Sequence, residues 1–280
     1  MITSAVRPEG DSALLVERAC IGADEPFGTR VEDTPWGTLI GVATGSECGW
    51  DNGARMLGTP ALSLMFAQLR GPDPVAAIPA AFAAASRWLA EDPYCIAAAS
   101  DDSEPCLTVV LALCELRRIT LAWVGNDKAY LLRDRRIAAE SEEHSVRMMS
   151  RGLLTRPLTP EEADPPEHQR AWLAIPLEQR LRRPFGKLFA NRATLLLTRG
   201  APGPPVVTHH ERRPGDTLLM LGGTLHKWLD WDAGVTAALA DPVPLTIARL
   251  VAEIDRRDPR RTGEQSGGSD PYGPILLARL

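Results

Sequence analysis

The chain has 280 residues, of which 44% are hydrophobic and 24% charged, and carries a formal net charge of -5 at pH 7. That length and apolar content suffice for a substantial core, and the acidic balance argues against general affinity for nucleic acid or an anionic membrane. No run of about 18 apolar residues occurs, and the first residues, MITSAVRPEGDS, have neither a charged start nor an apolar signal core, so the sequence reads as a soluble cytoplasmic protein. The five cysteines, Cys20, Cys48, Cys95, Cys106 and Cys114, are odd in number, lack C-x-x-C spacing and mostly lie in apolar surroundings. They read as buried free thiols in preference to a structural zinc site.

In chain order, Ser12 to Glu17 (SALLVE) is a short β-prone run, followed by a Gly-, Asp- and Pro-rich loop from Ile21 to Pro35. Thr38 to Thr44 (TLIGVAT) is the next strand, and Gly45 to Gly53 is rich in turn residues. Thr59-Pro60 offers a helix start, with Thr as cap and Pro in the first turn, before Ala61 to Leu69. A second helix is expected over Val75 to Leu89, where Val75, Ile78, Phe82, Ala85 and Leu89 share one face and Pro79 sits in the first turns. Cys106 to Cys114 (CLTVVLALC) is continuously apolar, as in a strand covered on both faces.

Ile119 to Ile137 (ITLAWVGNDKAYLLRDRRI) reads as a β-hairpin turning at Val124-Gly125-Asn126-Asp127, with a second turn at Asp134 to Arg136 leading to a third strand. Ser150 to Asn191 is punctuated by prolines and reads as an inserted flap with one helical piece around Glu178 to Leu188. Within it Arg180, Arg182, Arg183 and Lys187 interleave with Phe185 and Phe189, forming either a solvated helix face or an anchor for an acidic or phosphorylated partner. Ala193 to Thr198, Pro205 to His209 and Thr217 to Leu221 return to strand patterns, the last after a Pro214-Gly215-Asp216 turn. Helical segments follow to Leu229, over Asp232 to Leu239 and over Pro244 to Arg256, and PILLARL (Pro274 to Leu280) is a final strand. Strands and helices fall in blocks, which predicts an α+β fold with two stacked antiparallel sheets flanked by helices.

Several segments resemble the metal-dependent type-2C (PPM-type) protein serine/threonine phosphatases. Val124 to Leu132 (VGNDKAYLL) is similar to the family's V-G-D-S-R-A-Y-L, and Glu9-Gly10-Asp11 before SALLVER resembles its initial Asn-Glu-Asp. A later Glu32-Asp33 stands too close to Thr38 for that role. Val42-Ala43-Thr44-Gly45 resembles V-A-D-G, and Glu143-His144-Ser145 resembles Asp-His-Ser. Pro214 to Leu225 resembles P-G-D-x-L-L-L-C-S-D-G-L, and Asp270-Pro271 before the last strand resembles a terminal Asp-Asn. The resemblance implies a single α-β-β-α sandwich domain over residues 1–280, with the flap at about 150–191 as an insertion.

Members of that family hold two Mg²⁺ or Mn²⁺ ions that activate a bridging water, and such hard cations need carboxylate oxygens. By the resemblance the bridging Asp is replaced by Thr44, the Asp of the fourth signature by Gly223, and the Glu before the first Asp by Gly10. Asp11 and Asp270 remain as the metal ligands if metal is bound at all, with the Gly45 carbonyl available, and Arg7 is a possible phosphate contact. Removing acids suits a site without metal, because two carboxylates about 4 Å apart repel by up to about 4 kcal/mol at an effective dielectric of 20. Glu47 or Asp51 would be the substitute ligand in a rearranged site.

His209 and His210 are adjacent in a predicted strand and point to opposite faces, so they read as surface or edge residues, and His226 as a partly buried helix histidine. No G-x-S-x-G, H-E-x-x-H or phosphate-binding G-x-x-x-x-G-K-[ST] motif occurs. The resulting expectation is a pseudophosphatase without catalytic residues or cofactor, acting as a binding or regulatory module on a protein partner such as a kinase or phosphoprotein. The alternative is an active Mn²⁺- or Mg²⁺-dependent phosphoprotein phosphatase with a rearranged metal site.

Overall fold

Nine consecutive residues, Cys106–Cys114, are buried along their whole length, which a strand achieves only in the middle of a sheet with both faces covered. The computed structural model, which describes residues 3–5, 14–21, 27–46, 53–98, 105–142, 144, 204–223, 225–229, 243–257 and 273–280, puts this strand in that place. The strands are β1 (Thr3–Ala5), β2 (Leu15–Ile21), β3 (Thr29–Thr34), β4 (Gly37–Ser46), β5 (Cys106–Cys114), β6 (Arg118–Val124), β7 (Lys128–Arg133), β8 (Arg136–Glu140), β9 (Val206–Glu211), β10 (Thr217–Leu221) and β11 (Gly273–Arg279). They form a six-stranded sheet in the order β1-β2-β11-β10-β7-β8 and a five-stranded sheet in the order β3-β4-β5-β6-β9. All pairings are antiparallel.

The alternation of side chains along each strand sorts the core into layers. Val16, Ile40, Val42, Val110, Ala112, Ile119, Leu121, Trp123, Leu131, Leu218, Met220 and Leu276 pack between the sheets. The opposite face of the five-stranded sheet, through Leu39, Ala43, Val109, Leu111 and Val124, packs on helices α1 (Thr59–Gln68) and α2 (Ile78–Glu91). Two further helices are α3 (Pro93–Ala98) and α4 (Val243–Arg257). The outer face of the six-stranded sheet, through Ala19, Leu219, Leu221, Ile275 and Leu277, receives Ile247, Leu250 and Ile254 of α4. The order is therefore helix, sheet, sheet, helix, the α+β sandwich expected from the sequence.

One expectation is overturned. The run from Ile119 through Leu132 is not a β-hairpin: β6 pairs with β5 and β9 in one sheet, whereas β7 pairs with β10 and β8 in the other. Gly125, Asn126 and Asp127 form a corner where the chain passes between sheets, because Trp123 and Leu131 both belong to the intersheet core. Gly125 has φ +98°, and a Cβ there would lie 2.5 Å from the Thr108 side chain. The hairpin lies one step later, between β7 and β8, with Asp134 and Arg135 at φ 50° and 63°, the left-handed pair that a tight two-residue turn requires.

Smaller corrections have local causes. The first predicted strand, Ser12 to Glu17, is shifted to Leu15–Ile21, and β3 lies inside the expected loop because its residues, mostly half-buried at the sheet edge, give a weak alternation. Thr59 is not a cap, since Gly53–Gly58 before it is already helical, with π-type hydrogen bonding; its hydroxyl accepts the Gly28 N–H at 2.9 Å instead. Helix α3 was not anticipated; Asp92 accepts hydrogen bonds from the N–H groups of Tyr94 and Cys95 at its start. Cys95, Cys106 and Cys114 are buried free thiols. The flap, residues 193–198 and residues 232–239 lie outside the described residues.

Gly125 and Gly215 give a controlled pair for testing the corner, since Gly215 has φ +85° but open space around its Cβ position. Gly215→Ala should cost about 1 kcal/mol from backbone strain, and Gly125→Ala about 2–4 kcal/mol because steric overlap with Thr108 is added. Urea denaturation of the two variants measures the difference.

Candidate functional site

The strand registers bring three segments together at one end of the sandwich. Thr44 stands opposite Thr108 across β4 and β5, Val124 opposite Val109 at the end of β6, and Lys128 opposite Leu221 at the start of β7. The corner between Val124 and Lys128 is thus caught between Thr108 on one sheet and the residues after Leu221 on the other. Gly222 seals the approach from the β10 side: its N–H donates to the Pro274 carbonyl at 2.8 Å, and a Cβ on it would lie 2.7 Å from Thr44 Cγ2.

At the centre is Asp127, with 1% of its surface exposed. Its Oδ1 accepts the Thr44 hydroxyl at 2.7 Å and the Gly223 N–H at 2.6 Å. Thr44 Oγ1 also lies 2.7 Å from Thr108 Oγ1; with its single proton given to Asp127, it accepts from Thr108. Oδ2 is buried without a hydrogen-bond partner among the described residues. Burial pushes the Asp127 carboxyl up to about 7, against the lowering effect of hydrogen bonds from Thr108, Thr44 and the Gly223 and Thr44 backbone.

The neighbouring Lys128 does not neutralise this acid. Its ammonium donates to the Ser141 carbonyl, lies 3.1 Å from Glu140 Oε2 and sits 5.4 Å from the centre of the Tyr130 ring. The Ser141 N–H in turn donates to the Ala129 carbonyl, and the Ser141 hydroxyl accepts the Ala129 N–H. His144 holds the other side of the corner: its Nδ1 accepts the Gly125 N–H at 3.1 Å, and its own N–H donates to the Gly125 carbonyl at 3.0 Å. Nδ1 is therefore unprotonated in this arrangement, and the ring stacks on Trp123 at 6.4 Å.

Of the residues singled out from the sequence, Thr44, Gly45 and Gly223 are described, and Thr44 and Gly223 converge on Asp127. Arg7, Gly10, Asp11, Asp270, Glu47 and Asp51 lie outside the described residues. The register bears on how Asp11 was chosen. Leu15 pairs with Arg279 and Ile21 with Gly273, so β2 begins at the end of the sheet remote from Gly222 and finishes beside it. The register itself does not carry Asp11 toward Thr44. The stretch leaving β2 at the Gly222 end contains Asp24 and Glu25, also outside the described residues.

Glu32 and Asp33, set aside in the sequence, are structural: Arg70 hydrogen bonds hold the Glu32 carboxyl down at about 2, and Asp33 accepts the Thr38 hydroxyl. His209 and His210 bond Thr120 and Thr208 separately, and His226 is buried. Asp127 and Thr108 were missed as site residues. The available signal was Thr108 as the one hydroxyl in an otherwise apolar strand, and an acid two residues after the corner glycine.

No family model and no curated protein matches the sequence. Solved structures do match over nearly the whole chain. The serine/threonine phosphatase PstP/Ppp of Mycobacterium tuberculosis is 20% identical, with 95% of this chain and 98% of that chain covered and a TM-score of 0.61. The fold is that of the PPM-type serine/threonine phosphatases. Stp1 of Staphylococcus aureus is 14% identical with 99% and 98% coverage and a TM-score of 0.60. PppA, described as a key regulatory component of T6SS in Pseudomonas aeruginosa, is 18% identical with 96% and 98% coverage and a TM-score of 0.60.

A structure of PstP is described as a complex with two manganese ions, which makes the ligand set here the point of comparison within the PPM-type fold. Among the described residues, no group of three or more His, Cys, Asp or Glu side chains is placed to hold a metal ion. Thr44 and Gly223 present a hydroxyl and an N–H, both donors to Asp127, where a hard cation needs oxygen acceptors. The described residues do not fit a dinuclear cation centre.

The carboxyl group of Asp127 makes stability depend on pH. Its ordinary value is 3.8 and its folded value about 7, so the folded state binds the extra proton between them. Its contribution is fully present below about pH 3.8, declines as pH rises toward 7 and is lost above. Asp127→Asn should remove this component, on the order of a few kcal/mol between pH 5 and 8. Urea unfolding of parent and variant across that range checks it, with a parallel pH profile in both as the contrary outcome.

Proposed function

We propose that this chain is a pseudophosphatase: a PPM-type fold whose dinuclear centre has been given up and which acts as a binding or regulatory module on a protein partner, a kinase or a phosphoprotein. The observation that supports this reading is that Thr44 and Gly223 carry no side-chain carboxylate, and that the Thr44 hydroxyl and the Gly223 backbone N–H both donate to the buried Asp127 carboxyl. In-line attack on a phosphoryl group needs metal-bound oxygens that lower the pKa of water and offset developing charge. A hydroxyl and an N–H, already donating inward, supply neither. Fold likeness alone does not carry activity across to a chain about 20% identical to its structural neighbours.

The module is proposed to cover residues 1–280 as one domain, with the insertion at about 150–191 and its arginines, Arg180, Arg182 and Arg183, as the candidate contact to an acidic or phosphorylated partner. Calorimetric titration with Mn²⁺ and Mg²⁺, paired with aryl phosphate hydrolysis across metals and pH, tests the reading. The expected result is no saturable binding at millimolar metal and no hydrolysis above buffer. Tight metal binding accompanied by turnover that depends on Asp11 or Asp270 would show an active phosphatase with a rearranged site.

A further inference from the structure

Resting on the pseudophosphatase reading, one consequence concerns what the altered site binds. We infer that the Thr44 hydroxyl, backed by Thr108, and the Gly223 N–H form a cradle already filled by the chain's own Asp127 carboxyl group, a site for a small carboxylic acid and not for a divalent cation.

Two donors, the Thr44 hydroxyl of β4 and the Gly223 N–H of the turn after β10, are gathered around one acid delivered from the corner between β6 and β7, and Thr108 of β5 donates to Thr44 behind them. Their polarity is the reverse of a hard-cation site, in which several anionic oxygens surround a positive centre. The cradle is built and enclosed: Thr44, Thr108 and Asp127 are all buried, and Gly222 has no side chain where one would strike Thr44 and Pro274. Nor is the acid placed there to pair with a cation of the protein. Lys128, its sequence neighbour, is turned to Ser141 and Glu140, and the groups that touch Asp127 on the described elements are neutral donors. The carboxyl therefore owes its position to hydrogen bonds at Oδ1, and a free carboxyl group of the same chemistry fits the same donors.

Asp127→Ala removes the resident group and leaves the donors. In sodium formate buffered near pH 5, where part of the ligand is protonated, against sodium chloride of equal ionic strength, its melting temperature should rise saturably by about 2–4 °C. The parent, whose cradle is filled, and the Asp127→Ala/Thr44→Val variant, whose cradle lacks a donor, should show no formate-specific rise. A folded Asp127→Ala protein indifferent to formate overturns the inference, as does stabilisation by Mn²⁺ where formate has none.

Should Asp127→Ala not fold, Asp127→Asn keeps an acceptor oxygen for Thr44 and Gly223 and serves in its place. It is expected to fold, to be at least as stable as the parent at pH 8, and to share the parent's indifference to Mn²⁺. A parental Mn²⁺ response that disappears in Asp127→Asn would make Asp127 a cation ligand and overturn the cradle. Mn²⁺-dependent hydrolysis that persists in Asp127→Asn would instead defeat the pseudophosphatase reading while leaving the cradle standing.

Discussion

Hydrogen bonding of a single buried carboxyl group fixes the geometry at the centre of this molecule. Asp127 connects Thr44 of one sheet to Gly223 of the other, at the point where the chain itself crosses between them. Burying an acid is unfavourable unless its oxygens are satisfied, so the arrangement of its donors is tightly constrained. Displacing β4 or β10 by about an ångström stretches one of these hydrogen bonds and leaves the buried acid less satisfied. The reciprocal bonds between Gly125 and His144, and those between Ala129 and Ser141, hold the corner from its other side. A polar cluster therefore sets the relative placement of two sheets whose interface is otherwise apolar and tolerant of small slips.

The same cluster sets the electrostatics of the sheet junction. Carboxylates crowded together repel unless cations relieve them; the described residues instead gather neutral donors, a hydroxyl and a backbone N–H, around the Asp127 carboxyl. Burial pushes that carboxyl up to about 7.

Much of this fold was legible in the sequence, and the failures are instructive. Strand β5 announced itself as an unbroken apolar run, and helices α2 and α4 by their periodicity, because burial on two faces or one stripe leaves a direct compositional trace. Pairing leaves no such trace. The corner at Gly125-Asn126-Asp127 has the residues of a tight hairpin turn, and only the partners of β6 and β7 show that it joins different sheets. Thr44 and Gly223, which the resemblance assigns to one site, both bond Asp127, whereas Asp127 was read as turn chemistry, since local sequence does not reveal which side of a turn faces the interior. Strand β2 was set three residues too early for a related reason, since the ends of a strand depend on register as well as on local pattern.

The position of β11 has a temporal meaning. It lies between β2 and β10, pairing with both, so the six-stranded sheet is continuous only through a strand drawn from the far end of the sequence. Until residues 273–279 emerge during synthesis, β2 presents a bare edge, β10 another, and the intersheet core lacks Leu276 and Ala278. Four of the five strands of the other sheet can assemble much earlier, since β3 to β6 are contributed by residues 29–124 and only β9 at its edge comes later. A nascent chain thus carries half a sandwich with its apolar face uncovered for most of its translation, the circumstance in which long-range pairing is slow and exposed strands invite a chaperone.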